Sequence, residues 1–271
     1  MRPFFENNVL QQQPFKPMII VVDTTKAGSA SNTFVLPIIK ATSETVKIYW
    51  GDGTNSVGAN GDNTHVYAAS GIYTVKIESR LFGGIYFNNL GDKAKITKIA
   101  NYGQGVSRLN IGSFFGCSSL LSIAIGNIVS NGADATNQYR GCTALTTVPL
   151  LNLSSVTNAY AMFAYCAALT TVPLFNLSNC TSTRSMFFEC TSLTTIPLLD
   201  LSSVTDATNM FTGVTLTTQS YSDFLINLAT LPLQSGVSFH GGNSKYNPTA
   251  AIARAYLISN FGWTITDGGA A

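Results

Sequence analysis

The chain has 271 residues, 45% of them hydrophobic, which is enough to bury a substantial core. Only 10% are charged, and 15 basic residues against 13 acidic ones leave a net charge of +2. This composition excludes an intrinsically disordered chain. Without a basic cluster, it gives no reason to expect a nucleic-acid partner. The longest apolar run, residues 18–22, has the length of a strand, so no membrane insertion is predicted.

Residues 1–15 predict a polar N-terminal arm. They lack the apolar core of about 7–15 residues that a secretory signal requires. If Met1 is the natural start, we therefore expect no export by the general secretory route.

Residues 16–92 carry β-branched and aromatic runs separated by Gly, Asn, Asp and Ser, which is typical of antiparallel strands and tight turns. Alternation places Val46, Ile48 and Trp50 on one face of a strand. Two such faces that close over each other predict a β-sandwich. The candidate strands are residues 18–23, 33–38, 46–50, 73–78 and 85–88.

A motif within this segment has two halves. The first is Trp50-Gly51-Asp52-Gly53-Thr54, and the second combines His65-Val66-Tyr67 with Gly71-Ile72-Tyr73-Thr74-Val75. Together they resemble the polycystic kidney disease (PKD) domain, an immunoglobulin-like sandwich. The resemblance implies a spacer or a carbohydrate- or protein-binding module rather than an enzyme.

Residues 93–216 repeat with a period of 24 or 25 residues, marked by Cys117, Cys142, Cys166 and Cys190. A fixed period of this length predicts a β-solenoid, here of about five coils, in which each coil buries its inner face against its neighbours. Asn127, Asn152, Asn176 and Asp200 form a polar ladder that we expect to accept backbone N–H groups at a bend. The predicted apolar ladders are Leu145/Leu169/Leu193, Val148/Val172/Ile196, Leu150/Leu174/Leu198, Leu153/Leu177/Leu201 and Phe163/Phe187/Phe211.

These coils resemble the BspA-like leucine-rich-repeat surface proteins of bacteria. Ser155-Val156-Thr157 leads to Met162-Phe163 and then to Cys166-Ala167-Ala168-Leu169-Thr170, as in that family's repeat. Val214 stands where another Cys would fall, which marks the end of the array. The resemblance implies leucine-rich-repeat coils and a surface-protein context.

The cysteine ladder favours free, buried thiols. Equivalent side chains of stacked coils lie about 4.8 Å apart, beyond the 3.5–4.5 Å between Cβ atoms that a disulfide prefers. Four collinear sulfurs also cannot surround a zinc ion tetrahedrally. Cys180, off the ladder, is expected to be free as well.

Residues 217–271 predict a small α/β cap over the open end of the repeats. Phe224, Leu225 and Leu228 share one helical face, and Asn247-Pro248 is typical of a helix start. We expect short strands at residues 237–239 and 263–265. The complete fold class is therefore mainly β: an immunoglobulin-like sandwich, a leucine-rich-repeat-like solenoid and this cap.

Nothing in the sequence predicts catalysis, a cofactor or a metal site. Both histidines, His65 and His240, are interpreted as structural, and Asp52 and Asp62 as turn residues rather than calcium ligands. No nucleophile elbow or phosphate-binding loop is present.

The candidate binding residues are taken from positions where the coils differ. Alignment on the cysteines gives one variable rung of Ala135, Tyr160, Arg184 and Thr208 and another of Gly141, Tyr165 and Glu189. Side chains that vary within a strict scaffold face solvent, and Tyr and Arg are effective contact residues. The predicted recognition patch is Tyr160, Tyr165, Arg184 and Glu189.

Three functional hypotheses follow. The first is a non-enzymatic bacteriophage virion protein (fibre, tail-tip or capsid-decoration protein), because such a protein is assembled in the host cytoplasm without an export signal. Its expected partners are virion proteins at the N-terminal arm, host-surface glycans or proteins, and other copies in a homo-oligomer. The alternative is a BspA-like adhesin on a bacterial cell surface. The third is a glycan hydrolase, for which the sequence offers no identified pair of carboxylates.

Overall fold

The computed structural model describes residues 16–40, 43–79, 82–103, 112–125 and 134–271, and the predicted arm at 1–15 lies outside these ranges. The described chain is mainly β, as predicted, with eleven strands and two α-helices. Its buried hydrophobic residues form one continuous core cluster.

One sheet has six strands in the order β4-β3-β6-β1-β8-β9. It is antiparallel except for the pair β8 and β9. β8 therefore belongs both to the sheet of the first segment and to the start of the repeats. The strands are β1 (Met18–Asp23), β3 (Val46–Tyr49), β4 (Asn55–Gly58), β6 (Ile72–Glu78), β8 (Ile96–Tyr102) and β9 (Ser122–Ile123).

A second sheet has the order β5-β2-β7, with β2 at Thr33–Lys40, β5 at Gly61–Val66 and β7 at Phe82–Ile85. The candidate strand at 85–88 was thus placed too late, and β4 and β5 were missed. Both missed strands carry few buried side chains, so they lack the apolar alternation that marks the others.

Apolar side chains of the two sheets meet. Alternate residues of β1 and β2, such as Ile20 and Leu36, are fully buried. Gly58 lies at the contact, since a Cβ there would be 3.1 Å from Cδ1 of Ile48 and 3.2 Å from Cδ1 of Ile38. The absence of a side chain at this position lets residues of both sheets approach.

A buried ion pair connects the first segment to the start of the repeats. Lys95 has 0% exposure, and its Nζ lies 3.6 Å from Oδ2 of Asp92. The ammonium donates to the carbonyls of Ser29, Ala30 and Thr33 at 2.7–3.0 Å. Asp92 in turn accepts from the backbone N–H of Ser29 at 2.6 Å, so both charges are compensated.

Gly28 makes this arrangement possible. Its φ is +146°, and a Cβ there would lie 2.3 Å from Oδ1 of Asp92. Any side chain at position 28 would therefore displace the buried carboxylate.

Successive repeats are joined by backbone hydrogen bonds at equivalent positions. Asp134, Asn158, Ser182 and Asp206 form consecutive parallel bridges. The aromatic rings of Phe114, Tyr139, Phe163, Phe187 and Phe211 stack with centroid separations of 5.5–5.9 Å and interplanar angles of 10° or less.

This register corrects one predicted rung. Ala135 is buried and aligns with Ala159, while Thr136 is the residue that aligns with Tyr160. The predicted rung was displaced by one residue there: Ala135 lies seven residues before Cys142, whereas Tyr160 lies six residues before Cys166.

One predicted core ladder is wrong. Leu150, Leu174 and Leu198 are 59%, 58% and 50% exposed, whereas the residues that follow each of them, Leu151, Phe175 and Leu199, are buried. The proline and the leucine after it both stay outside the core, so the inward alternation restarts one residue later. The other four predicted apolar ladders are buried as expected.

Polar side chains complete the hydrogen bonding of the coils. Asn152 and Asn176 each accept from the backbone N–H and the hydroxyl of a serine two residues later, and Asp200 accepts from the N–H of Ser202, as the ladder prediction requires. Asn127 lies outside the described residues. Threonines supply a second set: the hydroxyl of Thr170 donates to the carbonyl of Thr146 in the preceding coil at 3.2 Å. Apart from Asp200, these groups are neutral, so the backbone is satisfied largely without charges.

All five cysteines are free and buried, as predicted. The thiols of Cys142, Cys166 and Cys190 donate to backbone carbonyls of Phe114, Tyr139 and Phe163, each in the preceding coil, at 3.1–3.4 Å. A cysteine therefore fills a small apolar space and also satisfies a carbonyl.

Native thiols are expected to resist alkylation at pH 8. Burial raises the pKa of Cys180 to about 11 and that of Cys190 to about 12, so little reactive thiolate forms. We expect fewer than one equivalent of Ellman's reagent to react with the folded protein and five equivalents to react in guanidinium chloride. Rapid reaction of several thiols without denaturant would contradict this prediction.

The last segment covers the end of the repeats. It comprises α1 (Thr218–Leu228), β10 (Ser238–His240), α2 (Pro248–Phe261) and β11 (Thr264–Thr266). Asn247 caps α2 by accepting from the N–H of Ala250, as its position before proline predicts. The backbone N–H of Phe211 donates to the carbonyl of His240 at 3.0 Å, which attaches β10 to the last coil.

Candidate recognition surface

The turn that leads into each cysteine contains a residue in the left-handed conformation. Immediately before the ladder cysteine, or before Val214 in the last repeat, φ is between 56° and 80°. Three coils have the expected glycine here, while Tyr165 and Glu189 occupy the other two, each at a cost of about 1–2 kcal/mol. These are two of the four residues that sequence analysis selected. The five positions are Gly116, Gly141, Tyr165, Glu189 and Gly213.

A shallow groove of about 170 Å³ lies beside Tyr165. Tyr160 and Tyr165, both predicted, line it together with Arg140, Ser185 and Phe188. Tyr165 is 41% exposed, and its ring meets that of Phe188 edge to face at a centroid distance of 5.3 Å. The repeat register brings these residues together, because they come from three successive coils.

Arg140 is the charged group of this groove. Its guanidinium carbon lies 5.2 Å from the ring centroid of Phe115 and 5.3 Å from that of Tyr165. Such cation–π contacts stabilise a guanidinium by about 0.5–2 kcal/mol. Its NH1 also reaches Oδ1 of Asn137, at 3.4 Å.

Arg184 and Glu189 do not line the groove. Arg184 is exposed and lies 3.9 Å from Asp206, a weak surface ion pair. The carboxylate of Glu189 lies against Gly213, where a Cβ would be within 2.6–2.7 Å of it. The predicted patch is thus divided between a groove and two charged residues on the next coil.

Sequence analysis missed Arg140, Ser185 and Phe188. Arg140 and Phe188 share a rung with Phe115 and Ala164, two residues before each cysteine, and this rung also varies. The variation of this rung among the repeats was the sequence signal that could have identified Arg140 and Phe188. Ser185 belongs to a second set of left-handed turn residues and has a φ of 54°.

The motif of the first segment forms a compact polar and aromatic contact. His65 stacks on Trp50 with a centroid distance of 4.8 Å, and its Nε2 lies 2.7 Å from Oδ2 of Asp52. Burial opposes ionisation of Asp52, but hydrogen bonds from Thr54 and His65 outweigh it and lower the pKa of this carboxyl to about 2. The carboxylate is therefore engaged by protein donors.

His240 accepts from the backbone N–H of Gly242 at 3.0 Å, a local turn contact. Within the described ranges, no group of three or more His, Cys, Asp or Glu side chains is placed to hold a metal ion. Among the same residues, no helix combines the length and apolar character needed to cross a bilayer.

Replacement of Tyr165 tests the left-handed strain. Glycine adopts the left-handed conformation freely, whereas the Cβ of alanine makes this conformation as unfavourable as it is for tyrosine. We therefore expect Tyr165→Gly to be more stable than Tyr165→Ala by about 1 kcal/mol. At ordinary positions the order is reversed. Urea unfolding of both variants measures the difference, and a more stable alanine variant would show that the position is unstrained.

Comparisons with known proteins give one match. No curated protein and no solved structure matches the chain. Residues 128–224, about a third of the chain, match the model of a family described as "Mycoplasma protein of unknown function, DUF285".

Proposed function

We propose that this chain is a non-enzymatic recognition protein of a bacterial cell surface. In this proposal, residues 16–92 form an immunoglobulin-like sandwich of the PKD type, residues 93–216 a leucine-rich-repeat-like solenoid, and residues 217–271 its cap. The meeting of the two sheets at Gly58 supports the first assignment. The bridges between equivalent residues of successive repeats support the second.

The observation that carries the proposal is the pair of strained, outward residues Tyr165 and Glu189. A tyrosine in a position that favours glycine costs stability, and such costs tend to persist where a side chain is needed for binding. Tyr165 also completes the groove with Arg140 and Phe188. We therefore infer that the recognition surface consists of the turn residues Tyr165 and Glu189 together with the groove beside Tyr165. The exposed leucines are not part of it.

The surface context rests on two supports. The family match covers residues 128–224, and the same stretch carries the repeat motif that resembles BspA-like surface proteins. The virion hypothesis gains no support from the comparisons, and the arm on which it depended lies outside the described residues. The cell-surface hypothesis, first stated as the alternative, is therefore favoured.

The experiment has two arms. Antibodies raised against the full chain should label intact cells of the source organism, and the fluorescently labelled full chain should bind cultured epithelial cells in flow cytometry. Binding should fall at least fivefold in Tyr165→Gly and stay unchanged in Leu174→Ser, which alters an exposed leucine outside the groove. Absence of surface labelling, or equal binding by both variants, would overturn the proposal.

A further inference from the structure

The groove beside Tyr165 has the dimensions and chemistry of a site for one sugar ring. Its volume of about 170 Å³ is well below the 300–1,000 Å³ typical of sites for drug-sized ligands. A stable protein interface would instead bury about 800 Å² on each partner. The groove therefore suits a ligand that inserts a single ring-sized group.

Aromatic and polar groups alternate around this groove. Tyr165 and Phe188 provide ring surfaces, which attract the apolar C–H face of a pyranose. Among the residues that the structure describes, the hydroxyls of Tyr160, Tyr165 and Ser185 have no hydrogen-bond partner. They are available to the hydroxyl rim of a sugar.

Arg140 determines the charge of the ligand. Its guanidinium carbon lies over the rings of Phe115 and Tyr165, and NH1 reaches Oδ1 of Asn137 at 3.4 Å, while its other N–H groups have no hydrogen-bond partner among the described residues. No ion pair engages Arg140 within the described part of the chain. A guanidinium that contacts two aromatic rings and keeps N–H groups without a partner matches a carboxylate, which accepts two parallel hydrogen bonds.

We propose that this groove binds a terminal sugar that carries a carboxylate. The ring of the sugar stacks on Tyr165 and Phe188, and its carboxylate meets the edge of Arg140. This inference rests on the proposed function and names the ligand class of the same surface. Sialic acids and uronic acids share the required chemistry, so both are included in the test.

The experiment is an NMR titration of the full chain with matched pairs of saccharides. 3′-Sialyllactose is compared with lactose, and a hyaluronan tetrasaccharide with its methyl ester. In at least one pair, the acidic member should bind roughly tenfold more tightly, because charge-assisted hydrogen bonds add that much to affinity. The pair that shows the difference identifies the source of the carboxylate.

Three variants separate the contributions. Arg140→Gln should abolish the preference for the acidic member, and Tyr165→Gly should weaken binding of both members while leaving the fold intact. Lys245→Gln removes the same charge from an exposed position in the cap and should bind as the wild type does. Equal affinity for acidic and neutral members, or an unchanged preference in Arg140→Gln, would overturn the inference.

The two proposals can fail separately. If the chain binds cells through Tyr165 but neither acidic saccharide binds, the surface function stands and the ligand class is wrong. A protein partner would then be the occupant. If neither cells nor saccharides bind, both proposals are overturned.

Discussion

Replacement of Lys95 by methionine is expected to destabilise the protein by about 3–5 kcal/mol. The substitution leaves Asp92 buried without its cation. It also removes the donor to the carbonyls of Ser29 and Ala30, in the loop before β2, and of Thr33, the first residue of β2. Urea unfolding at pH 7 measures the loss. Lys98→Met, at an exposed position three residues away on β8, is the control and should change stability by no more than about 0.5 kcal/mol.

The double variant Asp92→Asn/Lys95→Met separates loss of the pair from loss of one partner. Removal of both charges avoids the isolated carboxylate, so the double variant should be more stable than Lys95→Met alone. If Lys95→Met were as stable as the control, the ion pair would contribute nothing to the junction between the first segment and the repeats.

Phe175→Ala is expected to cost about 3–5 kcal/mol, whereas Leu174→Ala should cost about 0.5 kcal/mol or less. Phe175 is buried and its ring stacks on Phe163 at a centroid distance of 5.8 Å, but its neighbour Leu174 is 58% exposed. The two substitutions are at adjacent residues, so the surrounding backbone is nearly the same for both. Thermal or urea unfolding of the two variants measures it, and the reverse order would restore the ladder that the sequence predicted.

That ladder shows how far the sequence could predict the repeats. The period was clear because Cys166 and Phe163 recur with their equivalents at fixed spacing, and both are buried. The sequence did not show which residue after each proline points into the core, because two apolar residues such as Leu174 and Phe175 are adjacent and only one can do so. Both are large and apolar, so residue type does not distinguish them, whereas in the structure Pro173 and Leu174 stay outside the core and Phe175 is buried.

Prediction of the first segment was limited because the sequence does not show which strands pair with each other. β1 was located from its apolar, β-branched run and β6 from its alternation, but β4 and β5 lie at sheet edges and bury few side chains. The antiparallel pairing of β1 with β8 joins residues far apart in sequence, and no local pattern predicts such a partner. Register between distant strands depends on the whole core.

The groove was predicted in part for a related reason. Tyr160 and Tyr165 were found because their rungs vary among the coils. Arg140 acts through Phe115 and Tyr165, which belong to the coils before and after its own. Such a contact can be predicted only when different positions of neighbouring repeats are compared with each other, and not only the equivalent positions.

The two ends of the repeat array are closed by different structures, and this has a consequence for how such a chain can change in length. At one end β9 pairs with β8, and at the other the last coil pairs with β10 of the cap. An internal repeat presents the same ladder positions to the repeat before it and to the repeat after it. Duplication or deletion of one 24-residue unit would therefore preserve the strand pairing at both ends and move the cap by about 4.8 Å. The length of the repeat array could thus change in fixed steps without any change at its two ends.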